Sequence, residues 1–174
     1  TGYSESIGAG NDYATIKYNS SGVQEWIARY NGPGSGSDEA TALALDPSGN
    51  IFVTGYSEGL GTGHDYLTVK YNSSGAQEWV ARYNGHENGS DEATALALDS
   101  SGNIYVTGYS EGLVTGHDYA TVKYNSSGAQ EWVARYNGPV DGEDEPTALV
   151  VDLWGNICVT QYICNGRELG CRYK

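Results

Sequence analysis

Methionine is absent from the 174 residues, phenylalanine occurs once, and there are four prolines and three cysteines. Basic side chains are also scarce: nine Lys and Arg stand against 22 Asp and Glu, a formal charge of −13. A chain this acidic is a poor match for a nucleic-acid backbone or an anionic membrane surface, both of which reward Lys and Arg. No stretch approaches the ~18 consecutive apolar residues of a membrane span, so no membrane insertion is expected. No window sustains a 3.6-residue period, which predicts essentially no helix. There is no phosphate-binding glycine loop and no Cys-x-x-Cys, so the common signatures of nucleotide binding and thiol redox chemistry are missing. What is abundant points elsewhere. Fifteen tyrosines, four tryptophans and 25 glycines suit a turn-rich β protein.

Repetition organises the chain. Thr-Gly-Tyr-Ser occurs at Thr1, Thr54 and Thr107, and Thr160-Gln161-Tyr162 begins a fourth copy, each 53 residues after the last. The chain is therefore read as a single repeat array: residues 1–53, 54–106, 107–159 and a partial unit 160–174, with no linker inside it. Residues 54–106 and 107–159 are identical at 41 of 53 positions without a gap, so these copies must share one backbone.

Each unit reads as four strands, here called a to d. Ala93–Asp99 (a) is apolar on both faces, as expected of a strand buried on both sides. Ser100-Ser-Gly-Asn103 turns the chain into Ile104–Ser110 (b). Asp65–Tyr71 (c) alternates, Asn72-Ser-Ser-Gly75 makes a tight turn, and Glu78–Tyr83 (d) closes the unit. Four antiparallel strands with an apolar first and a more polar last describe a β-propeller blade, which packs face to face with its neighbours around a central channel. The expected fold is all-β, three such blades plus part of a fourth.

The same segments resemble a known family, the bacterial β-propeller repeat called SBBP. The resemblance is carried by Ala-Leu-Asp-Pro-Ser-Gly-Asn-Ile-Phe-Val-Thr-Gly-Tyr-Ser at 44–57, Asp-Tyr-Ala-Thr-Ile-Lys-Tyr-Asn at 12–19 and Glu-Trp-Ile-Ala-Arg-Tyr-Asn at 25–31. It implies a secreted or cell-surface protein. It transfers no catalytic residues.

Propellers close with about four to eight blades, and an open arc leaves faces and edges uncovered. The first unit keeps the internal pattern through Tyr3, Tyr13, Ile16, Trp26 and Ile27, so no polar cap is visible there. The last departs from it at Cys158, Cys164, Arg167, Cys171 and Arg172, the pattern of a real end. Self-association, or contact with further repeats of the same protein, is the expected consequence, as a ring or a filament. Cys158 replaces Phe52 and Tyr105 and is expected to be a small buried hydrophobe. Cys164 and Cys171 flank a turn and are candidates for a hairpin disulfide worth about 2–3 kcal/mol in an oxidising compartment, with free thiols or a metal as alternatives.

In an antiparallel meander the long b–c and d–a loops share one end, and they hold the candidate binding residues: Glu58, His64, Asp65, Glu111, His117 and Asp118. Such His–Asp and Glu groups serve acid–base or metal chemistry when they converge, but these recur at equivalent places, as turn-forming residues do. Asp141-Gly-Glu-Asp-Glu145 offers oxygens to calcium but lacks the EF-hand spacing. The expectation is no cofactor, with calcium as the exception. Trp26, Trp79 and Trp132 with Tyr30, Tyr83 and Tyr136 form a ladder that serves either sugar stacking or packing between blades. Leu153-Trp154 replaces two serines in an a–b turn and offers an exposed contact patch. Taken together, the residues favour a non-enzymatic structural or interaction module. The alternatives are a carbohydrate- or calcium-dependent binding protein using the long-loop face and, with no convergent site to support it, a lyase or hydrolase.

Overall fold

A computed structural model describes residues 1–6, 10–34, 36–86, 88–139 and 141–161. Among these residues there are strands and turns and no helix. The first sheet has three strands: β1 (Gly2–Ser6), β2 (Gly10–Tyr18) and β3 (Gln24–Tyr30). The second has four, β4 (Asp38–Leu45), β5 (Ile51–Glu58), β6 (His64–Tyr71) and β7 (Gln77–Tyr83), in that order. The third repeats it with β8 (Asp91–Leu98), β9 (Ile104–Glu111), β10 (His117–Tyr124) and β11 (Gln130–Tyr136). β12 (Pro146–Val151) and β13 (Ile157–Gln161) pair as the fourth. Every pairing is antiparallel between consecutive strands. These are propeller-type blades.

The short turns are built by side chains that replace backbone partners. Asp46 Oδ1 accepts from the amides of Ser48 and Asn50 at 2.9 Å, and Asp99 and Asp152 do the same one and two repeats on. Asn19, Asn72 and Asn125 perform this role in the c–d turns. Their carboxamide oxygens are thus engaged in Asx turns, which accounts for the Asn-Ser-Ser-Gly sequence without glycosylation.

Blades adhere through two apolar clusters, one on each side of the second sheet. Tyr13, Ala40, Val53, Leu67, Val69 and Tyr71 fill the first junction. Phe52, Tyr66, Tyr83, Ile104, Val106 and Val122 lie in the second. Recurring polar contacts stitch the same junctions. Tyr13 and Tyr66 donate to the carbonyls of Leu67 and Ala120 in the following sheet at 3.3 and 3.2 Å. A bulge at Thr41 in β4, and another at Thr94 in β8, frees each hydroxyl to reach across: Thr41 donates to Ala93 O at 2.6 Å and Thr94 to Pro146 O at 2.7 Å. Strands β4, β8 and β12 are thereby drawn together as neighbouring inner strands.

Two expectations change. Strand a is not the most buried strand; that place belongs to b and c, which are buried along most of their length. Strand a has one hydrogen-bonded neighbour and sits on the inner edge; Leu43 and Leu45 stay exposed because the first sheet has no strand a among the described residues to stand opposite them, whereas b and c are covered on both faces by adjacent sheets. Cys158 is also exposed, with no disulfide partner among the described residues, although Phe52 and Tyr105 at its place in the repeat are buried. Those rings lie beside Trp79 and Trp132 of strand d, and no described residue supplies a strand d to the fourth sheet. Cys164 and Cys171 lie outside the described residues.

Candidate functional site

The long loops do gather at one end. Gly63 N donates to Asn88 O at 3.0 Å, Glu111 N to Ser90 O at 3.1 Å, and Asp144 N to His117 O at 2.8 Å. The d–a loop at 84–90 is therefore clamped between the b–c loop of its own sheet and the sheet that follows.

Beneath the loops lies a buried polar layer that recurs with the repeat. Arg82 Nη1 donates to Asp65 Oδ2 at 2.8 Å and its other nitrogen meets the Ser57 hydroxyl; Arg135 repeats this with Asp118, at 3.2 Å, and Ser110. The first residue of strand a completes the layer: Asp38 and Asp91 accept the Gly32 and Gly85 amides at 2.6 Å, and Asp144 accepts Gly138. A Cβ on Gly85 would collide with Asp91 and Ser110, so only glycine lets the backbone approach the carboxylate. Burial pushes the Asp38 and Asp91 carboxyls up, against the opposing hydrogen bonds from Ser57 and Gly32, or Ser110 and Gly85. Asp65 and Asp118 are thus structural anchors of an ion-paired layer, turned away from the loop surface.

Their neighbours His64 and His117 face the other way, as alternation along a strand requires. His64 stacks on Tyr56 with ring centroids 4.3 Å apart, and its Nδ1 lies 2.8 Å from Glu92 Oε1 of the next sheet. Tyr56 donates to Glu39 at 2.9 Å, and Tyr109 lies beside Glu92. Burial, then the adjacent glutamate, raises both phenols well above their ordinary value. The result is a row running from sheet to sheet: Glu39, Tyr56, His64, Glu92, Tyr109, His117. Glu58 and Glu111, opposite the histidines in register, instead brace the d–a loops; Glu111 Oε2 accepts Ser90 N at 3.0 Å and Glu58 packs on Gly34 and Gly36. The row's last member differs from its counterpart. His117 stacks on Tyr109 at 4.3 Å, but its Nδ1 is shielded and has no hydrogen-bond partner among the described residues. Donor atoms of His117, Glu143 and Glu145 lie within 4.8 Å of one another.

The structure therefore separates the six candidates into three pairs with different tasks and does not join any His–Asp pair into an acid–base couple. Glu92, Tyr56 and Arg82 went unrecognised as partners. Their signal was present as recurrence every 53 positions: Glu39, Glu92 and Glu145; Tyr56 and Tyr109; Arg29, Arg82 and Arg135.

Of the aromatic ladder, Trp26, Tyr30, Trp79 and Tyr83 pack between sheets, whereas Trp132 and Tyr136 are 36% and 51% exposed. Trp26 Nε1 and Trp79 Nε1 donate to Ser73 O and Ser126 O of the next sheet at 3.3 Å, and each indole covers the turn glycine there, Gly75 or Gly128. In the acidic loop Asp144 is turned inward, and Asp141 accepts from Asn137 at 3.2 Å. Leu153 and Trp154 are 91% and 85% exposed, on a turn fixed by Asp152.

Comparison with known proteins bears on this architecture. The chain is similar to the regulatory protein FlaEY of Caulobacter vibrioides, 28% identical over 178 aligned residues. That alignment takes in 91% of this chain and spans 18% of the relative's length. Residues 25–61 and 78–113 match the SBBP family, described as a β-propeller repeat. Each match runs from strand d of one sheet through strands a and b of the next, across the junction just described. Two stretches of this chain are thus β-propeller repeats of the SBBP family.

Proposed function

We propose that the chain is a non-enzymatic interaction module, secreted or displayed at the cell surface, whose uncovered sheet face seats a further propeller repeat from its own polypeptide or from a second copy. One observation carries this reading. Tyr18, Tyr71 and Tyr124 occupy the same place in three sheets, yet Tyr18 is 56% exposed where Tyr71 and Tyr124 are 2% and 1%. Ile16 is exposed likewise, against fully buried Val69 and Val122. A sheet face of this composition is buried twice within the molecule, and the complementary surface that buries it is another blade.

The engaged state of the candidate residues favours binding over catalysis. Asp65 and Asp118 are consumed by arginines and His64 by Glu92, so none holds a free acid–base group against another. A relative that is a regulatory protein fits an interaction role. Light scattering on the 174-residue protein at tens of micromolar is expected to find self-association, weakened by Ile16→Lys and Tyr18→Lys. A well-folded monomer at that concentration overturns the reading.

A further inference from the structure

We propose that His117, Glu143 and Glu145 form a site for a divalent transition-metal cation of the zinc type. Three features of the backbone build it. Asp144 is held inward by the Gly138 amide, while Glu143 and Glu145 on either side of it are exposed and carry their carboxylates to His117. The Asp144 amide donates to His117 O at 2.8 Å, which fixes the histidine beside that pair of glutamates. Gly116 lies against the carbonyl of Gly142, bringing the two loops into contact.

The donor atoms are within 4.8 Å of one another. Ligand atoms at about 2.0–2.2 Å from one tetrahedral zinc ion stand about 3.3–3.6 Å apart, so rotation of two exposed glutamate side chains suffices to close the set. An imidazole with two carboxylates is a mixed nitrogen–oxygen set, which suits zinc and its neighbours, whereas calcium takes oxygen alone. Two clustered carboxylates on a chain of charge −13 repel each other until a cation joins them.

The equivalent junction one repeat earlier supplies an internal control. There Ser90 stands in place of Glu143, and His64 has closed onto Glu92. That histidine is satisfied and lacks a third donor. His117 keeps a shielded Nδ1 with no hydrogen-bond partner among the described residues and has the extra carboxylate.

Isothermal titration of the full chain with zinc chloride tests the site, in wild type and with Cys158, Cys164 and Cys171 changed to serine so that thiols take no metal. One equivalent is expected in both backgrounds at pH 7, not displaced by millimolar calcium or magnesium. Glu143→Ser, which installs the residue of the earlier junction on an exposed loop, is expected to weaken binding about tenfold or more, as is His117→Ala. Ser90→Glu is expected to raise the stoichiometry to two. No binding in the cysteine-free protein, binding indifferent to Glu143→Ser and His117→Ala, or equal competition by calcium each overturns the proposal.

Discussion

Tyr18 in the first sheet and Tyr71 in the second are the same residue at the same place in the repeat, and only the second is buried. Local sequence does not separate them: Ile-Lys-Tyr-Asn surrounds one and Val-Lys-Tyr-Asn the other. What separates them is the neighbour. Tyr71 faces Trp26, Ala28 and Tyr30 of the preceding sheet, and no described residue stands in that relation to Tyr18. In a repeat array the energetic worth of a residue is therefore set by the junction it enters, and identical residues acquire different weights along the chain.

The largest effect follows directly. Tyr71→Ala removes a ring from the closed junction and is expected to cost about 3–5 kcal/mol, as large-to-small core changes do, lowering Tm by roughly 10 °C. Tyr18→Ala in dilute protein is expected to cost less than about 1 kcal/mol. Thermal unfolding followed by circular dichroism measures both, and equal losses would dissolve the comparison. Tyr71→Phe sharpens it. The phenol is buried without a hydrogen-bond partner among the described residues, and burial pushes its pKa up to about 12, so removing the hydroxyl is expected to be neutral or stabilising.

This contrast also marks how far the sequence could be read. Strand order, the absence of helix and the gathering of long loops at one end followed from alternation, Asx turns and the 53-residue period, all of which are local or periodic properties. The pairing of His64 with Glu92 did not, because it joins residues 28 positions apart in different sheets, and only the twist and spacing of packed blades bring them together. Burial of strand a was misjudged for a related reason. Composition reports what a strand is able to bury, and β4 and β8 share the sequence Asp-Glu-Ala-Thr-Ala-Leu-Ala-Leu while Leu45 is exposed and Leu98 partly buried against the core.

The c–d turns extend the comparison at a somewhat smaller scale. Gly22 and Gly128 both adopt left-handed backbone, with φ of 77° and 85°, so alanine at either is expected to cost about 1–2 kcal/mol. At Gly128 the Trp79 indole of the preceding sheet occupies the space a Cβ would take, while nothing lies within 4 Å of Gly22. Displacing that ring is expected to add about 1–3 kcal/mol to Gly128→Ala alone. Denaturant midpoints that shift equally for the two variants would show that the indole gives way freely.

A smaller difference is expected along the inner strands. Thr94 reaches Pro146 O in the next sheet at 2.7 Å, while Thr147, one repeat on, has among the described residues only a 3.4 Å contact with the Thr160 hydroxyl of its own sheet. Thr94→Val is expected to lose about 1 kcal/mol, the net worth of a hydrogen bond, and Thr147→Val close to nothing. Thr94→Ser, which keeps the donor, is expected to restore most of the loss; failure to do so would assign the effect to packing of the methyl group.

The smallest effects are those of protons, and the two kinds of repeated aspartate should respond with opposite sign. Asp91 has its carboxyl raised above the ordinary 3.8 by burial, so the folded state holds its proton to higher pH than the unfolded chain does. Its contribution is therefore fully favourable below pH 3.8 and is lost as pH climbs through the raised folded value. At Asp99 burial also pushes upward, but hydrogen bonds from Asn103, Tyr105 and Ser101 outweigh it and hold the carboxyl below 3.8. Its contribution is present above pH 3.8 and is lost as pH falls through the depressed value. Asp91→Asn, whose amide oxygen still accepts the Gly85 N–H, is expected to leave stability near pH 7 unchanged or raised and to remove the decline on the alkaline side of pH 3.8. Asp99→Asn is expected to flatten the acid limb instead. Tm measured from pH 3 to 7 for both variants decides the matter, and a matching change of slope in the two would mean that the buried layer and the surface turns titrate alike.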